Sequence, residues 1–135
     1  MLQTLQAARP TPLQRQALAG YGTVSLDAKV ATASPHELVR MLYRRLTALL
    51  REARDAAEAG DTARRLKATE RALAIVEGLD ATLDMERGGS VAESLHRVYE
   101  LLLARLLAGD AASLDEALTS TQAIADAWAG IAPAR

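Results

Sequence analysis

The chain has no cysteine and no phenylalanine, only one tryptophan and three tyrosines, and just two histidines. The missing cysteines exclude disulfides, thiolate metal sites, redox motifs and cysteine nucleophiles, and agree with a reducing compartment. With aromatic residues at 3% and few Val and Ile, a sheet of several strands could not be furnished, so sandwich, barrel and Rossmann architectures drop out. Neither acidic nor basic charge dominates: Lys+Arg number 16 against Asp+Glu 17, so no global field selects a polyanion or a polycation. No apolar run approaches membrane-spanning length. Leu2, Leu5, Leu13 and Leu18 are separated by Gln, Thr, Arg and Pro and make no signal-peptide core, so a soluble, cytosolic protein without membrane insertion is expected.

What is present is alanine and leucine, roughly fifty residues of the 135, and these favour helix. Three Ser-x-x-Glu capping boxes, Ser34/Glu37, Ser90/Glu93 and Ser113/Glu116, mark helix starts, with Pro35 at the first helical position and Asp61 as a fourth start after Gly60. Gly60, the Gly88-Gly89 pair and Gly109 offer stops. Helices are therefore predicted at about 35–58, 62–86, 91–107 and 114–130. Linkers of a few residues make successive helices antiparallel neighbours, so the fold class is all-α, an antiparallel up-down four-helix bundle. Residues 1–20 read as a flexible tail and 132–135 as a second short tail. Tyr21 to Val30 reads as an extended or short helical segment packed on the bundle domain, 21–131.

Each helix carries an apolar stripe at helical spacing. The first has Leu38, Leu42, Leu46, Leu49, Leu50 and Ala53; the second Leu66, Thr69, Leu73, Val76, Leu79 and Leu83; the fourth Leu114, Leu118, Thr121, Ala125 and Trp128, with Ile124 and Ile131 at its edge. In the third, Val91, Leu95, Val98, Leu102 and Leu106 face the core with Tyr99 beside them. At 100° per residue, however, Leu101 falls to one side of that stripe and Leu103 and Leu107 to the other. Either this is the most central helix, touched on several sides, or it borders a groove for a partner's amphipathic helix. Surplus apolarity selects Tyr21, Leu101, Leu103, Leu107 and Ile124 as the partner-facing residues.

Enzymatic chemistry finds little support. There is no GxxxxGK loop and no dinucleotide fingerprint. Glu93-Ser-Leu-His96 has the Glu-x-x-His spacing of di-iron bundles, but only one copy exists where two are needed, so no metal and no cofactor are expected. His36, in the first turn of the first helix, reads as solvated. Arg40, Arg44, Arg51 and Arg54 form a ridge, yet Asp55 and Glu58 stand four residues beyond Arg51 and Arg54 and no aromatic interleaves, so it reads as a solvated face and not a nucleic-acid site. No acid, base and nucleophile converge, and a catalytic role is not expected.

The stretch Val30 to Tyr43, Val-Ala-Thr-Ala-Ser-Pro-His-Glu-Leu-Val-Arg-Met-Leu-Tyr, closely resembles the opening of the flagellin-specific export chaperones, the FliS family. Leu83-Asp84, Gly88 to Ala92, Leu95 and Val98-Tyr99 resemble that family's second-to-third helix junction, Ala125 to Trp128 its last long helix, and Tyr21 the Tyr that precedes its first helix. Arg44-Arg45 depart from the small pair usual after Tyr43, and Leu101 replaces a second aromatic. The resemblance implies a bacterial cytosolic chaperone for flagellum biogenesis by type III export, without enzymatic activity. It would bind the disordered C-terminal segment of flagellin, prevent premature polymerisation and deliver the subunit to a component of the flagellar export gate. It further implies that the segment around Tyr21 lies against the bundle and is moved by flagellin. The alternative is a helical adaptor or regulatory bundle sharing the fold.

Overall fold

The computed structural model describes residues 33–131, which form four helices: α1 (Pro35–Ala59), α2 (Thr62–Ala81), α3 (Met85–Ala108) and α4 (Ala111–Ala129). No strand occurs among them. The segment expected to pack from Tyr21 to Val30, and both tails, lie outside the described residues.

Helix α1 starts as its sequence dictates. The Ser34 hydroxyl accepts a hydrogen bond from the Glu37 amide at 3.1 Å, and Pro35 occupies a position whose N–H would have had no partner. It ends at Gly60, left-handed at φ 71°, with the Asp61 amide bonded to the Ala56 carbonyl (2.9 Å) and the Gly60 amide to that of Ala57 (3.2 Å). Asp61 then accepts from the Arg64 amide at 3.1 Å and starts α2. One residue thus closes one helix and opens the next, which folds the chain back antiparallel.

The other boundaries differ from expectation because aspartates, not serines, take the caps. Helix α2 stops at Ala81 instead of near 86: the Thr82 hydroxyl donates to the Leu79 carbonyl (3.0 Å), and Asp84 accepts from the Arg87 amide (3.0 Å) to begin α3. That first turn of α3 runs into Gly89, whose φ 53° and ψ −127° break the helical path before it resumes. The long part of α3 thus starts just past Gly89, where the Ser90/Glu93 box is expected to begin a helix, and the turn capped by Asp84 is added before it. Likewise Asp110 caps α4, accepting from both the amide (3.1 Å) and the hydroxyl (2.6 Å) of Ser113, so the helix begins at Ala111, three residues before the expected start. These bonds hold the Asp110 carboxyl below the ordinary carboxylate range, the Ser113 hydroxyl contributing most. A carboxylate is the stronger cap at a helix N-terminus, where it also meets the positive end of the dipole.

The helices form a ring in which each packs on its sequence neighbours and α1 also packs on α4. Helix α1 is the central one. It buries ten residues, among them the whole predicted stripe from Leu38 to Ala53, whereas α3 buries only Ala92, Tyr99, Leu102 and Leu106. The reading of α3 as the most central helix is thereby overturned. In α2 the buried line is Ala68, Thr69, Ala72, Ile75, Val76 and Leu79, and Leu66, expected in the core, is 54% exposed. Val91 is also exposed, for it stands just past the Gly89 break. Helix α4 buries Leu114, Ala117, Leu118, Thr121 and Trp128 as its stripe requires.

Candidate partner-binding face

The C-terminal half of α3 departs from an ordinary amphipathic helix. Leu102 and Leu106 point into the core, yet Leu107 is 74% exposed and Leu101 46%. Ala104 and Ala108 are exposed between and beside them, and the one charged residue from 101 to 108, Arg105, is drawn aside into an ion pair with Glu116 of α4. An isolated exposed leucine needs no explanation; leucines and alanines together over two turns with no free charge among them are a patch.

The sequence-selected residues divide. Leu101 and Leu107 lie on the surface, while Leu103 and Ile124 are partly buried and packed against the core. Tyr21 lies outside the described residues. Three exposed apolar residues were missed: Leu66 and Val91, which had been given to the core, and Met85. The Arg65 guanidinium reaches Gly109, which puts Leu66 at the same end of the bundle as Leu107. Arg64, Arg65 and Lys67 around Leu66 were the signal that this turn faces water.

Two polar clusters support the helices. His96 of α3 is clasped between Asp80 of α2 (Nδ1 to Oδ1, 2.6 Å) and Glu100 one turn on (Nε2 to Oε1, 3.0 Å). The Asp80 hydrogen bond and charge, aided by Glu100, raise its pKa above the ordinary histidine value. His96 is thus engaged by carboxylates through both ring nitrogens, and among the described residues no three such side chains are placed to hold a metal ion. His36 is not solvated as expected: it is buried, its ring stacks on Trp128 at 4.9 Å and 17°, and its carbonyl accepts from the Trp128 indole N–H at 3.0 Å. The large indole of α4, folded over the first turn of α1, excludes water from that imidazole.

The arginine ridge also differs in detail. Asp55, Glu58 and Asp115 all converge on Arg54, at 3.2, 4.0 and 2.9 Å. Asp55 was expected to offset Arg51, which makes no ion pair among the described residues, and neither does Arg44.

No described helix is long and apolar enough to cross a membrane. The class of molecule is an all-α four-helix bundle with an apolar face left uncovered on its least buried helix. A family model described as "Flagellar protein FliS" matches residues 17–135. The chain is 36% identical over 118 residues to the "Flagellar secretion chaperone FliS" of Salmonella typhimurium, covering 84% of this chain and 87% of that protein. It is 34% identical over 120 residues to the "Flagellar secretion chaperone FliSB" of Pseudomonas aeruginosa, covering 86% and 95%. Against the "Flagellar secretion chaperone FliS" of Vibrio cholerae it is 29% identical over 123 residues, covering 88% and 90%. The chain belongs to the FliS family of flagellar secretion chaperones, which is not an enzyme class.

Proposed function

We propose that this protein is a cytosolic chaperone that binds the disordered C-terminal segment of flagellin, prevents its premature polymerisation and carries it to the flagellar export gate. The observation that carries the reading is the uncovered leucine face of α3 in a chain of this family. A secreted subunit whose tail forms amphipathic helices is prone to assemble as soon as it is made. An apolar face that folds those helices onto itself removes them from assembly. Burial of leucines supplies affinity, and the ordering of the tail offsets much of it, which leaves the complex releasable at the gate.

Leu101 and Leu107 are the first contacts in this reading; Leu103 and Ile124, partly buried against the core, join them as the client seats. Tyr21, outside the described residues, is a further partner-facing residue in this reading. The bundle from 21 to 131 is the binding unit.

The test is a pulldown and a calorimetric titration with the host's flagellin, full length and lacking its C-terminal tail. The full-length protein binds and the truncated one does not. Equal binding of both, or of neither, defeats the proposal and favours an adaptor with another partner.

A further inference from the structure

Between α1 and α4, away from the leucine face, runs an open groove of about 550 Å³ lined by Arg40, Tyr43, Arg44 and Arg51 on one wall and by Gln122 and Asp126, among others, on the opposite wall. The register of the two walls follows from contacts at both ends, His36 with Trp128 and Arg54 with Asp115. Asp126 therefore stands across from the Arg40 end, and Arg40 also faces Glu37 at 3.9 Å. Farther along, Arg44 and Arg51 are exposed and make no ion pair among the described residues. They are seven residues apart, so they lie on one side of α1 about 10 Å from each other.

We propose that this groove is a second docking site, which takes an acidic helical segment of another protein through carboxylates seated on Arg44 and Arg51. Two like charges left together on a wall cost energy that a complementary pair of carboxylates removes, and a planar guanidinium fits a carboxylate two-pronged. A helix bearing acids seven residues apart presents them at the same spacing. Ala125 and Ala129, four residues apart on the opposite wall, let its backbone approach closely. The chain's own first 32 residues hold a single carboxylate side chain, Asp27, and cannot fill both places. A second copy would offer Glu70 and Glu77 of α2, exposed and also seven apart, and light scattering tells that occupant from another protein. Single-stranded nucleic acid wants an exposed ring to stack on, and Tyr43 is buried. The site is independent of the client face.

The experiment uses a fluorescein-labelled, alanine-rich 20-residue helical peptide with two glutamates seven residues apart, and its twin with glutamines, titrated by anisotropy into the full chain. The glutamate peptide binds, and added salt weakens it. Replacing its glutamates, or making the Arg44→Gln/Arg51→Gln variant, weakens binding about ten-fold, and both changes together cost little more than either alone. Circular dichroism of the variant matches the parent, because both side chains are exposed. No binding of the glutamate peptide, equal binding of the glutamine twin, or an unaffected variant overturns the proposal. So does tighter binding of a 20-residue oligothymidylate, or light scattering that shows a dimer in the parent and a monomer in the variant.

Discussion

The phenolic oxygens of Tyr43 and Tyr99 meet at 2.7 Å inside the bundle and join α1 to α3, helices that do not adjoin in the ring. Both residues are buried, and burial pushes the Tyr43 hydroxyl up to about 12 and that of Tyr99 well above its ordinary value, so each stays protonated and can donate to or accept from the other. In an apolar interior a hydroxyl must find a partner, and here each is the other's.

Removing one member strands the other. Tyr43→Phe or Tyr99→Phe alone is expected to cost about 1–2 kcal/mol, whereas the double variant costs less than the sum, because no unpaired hydroxyl remains. Urea unfolding of the four proteins measures this, and strict additivity of the two losses would show that the bond contributes nothing of its own.

Trp128 is the only tryptophan, and it seals the α1–α4 end over His36. Trp128→Phe keeps a ring against Tyr43 and His36 but loses the 3.0 Å bond to the His36 carbonyl, so about 1 kcal/mol is expected; Trp128→Ala opens a cavity and costs about 3–5 kcal/mol. In the parent, emission of this buried indole shifts to the red on unfolding and reports the transition directly.

The clasp on His96 gives stability a pH dependence. Its folded pKa lies above the unfolded value of 6.5, so the folded state binds the proton more tightly. The contribution is complete below that value and fades as the pH rises through the raised folded pKa. The urea midpoint should therefore fall as the pH climbs above about 6.5, and His96→Asn or Asp80→Asn should flatten that slope. A slope unchanged in both variants would locate the titration elsewhere.

Much of this architecture was legible in local sequence. Ser34, Pro35, Gly60 and Asp61 act within a few residues of themselves, and the leucines of α1 lie on one stripe, so α1 and its turn followed from spacing alone. In α2 the leucines misled: the buried line runs through Ala68 and Ala72, whose small side chains carry little apolar signal, and Leu66 is left outside. Asp110 outcompeted the neighbouring Ser113 as a cap, and Asp84 caps an extra turn ahead of Gly89, neither of which the box pattern shows. The Tyr43–Tyr99 bond and the His36–Trp128 stack join residues 56 and 92 positions apart, and no local rule pairs them. The leucine surplus of α3 was visible from the start, but which of those leucines face water depended on where α2 and α4 pack.

That placement separates two neighbouring leucines. Leu107 is 74% exposed and Leu103 is half-buried against the core, although both lie outside the Leu102 and Leu106 stripe. A charge at 107 stays in water, so Leu107→Glu should leave the unfolding midpoint within about 0.5 kcal/mol of the parent. A charge at 103 must be carried into partly apolar surroundings and should destabilise by about 1–3 kcal/mol. Client binding is expected to respond in the other proportion: Leu107→Glu abolishes most of the calorimetric signal with a flagellin C-terminal peptide while the protein remains as stable as before. If binding survives Leu107→Glu unchanged and is lost only in variants that also unfold, the surface of α3 is not the client's site.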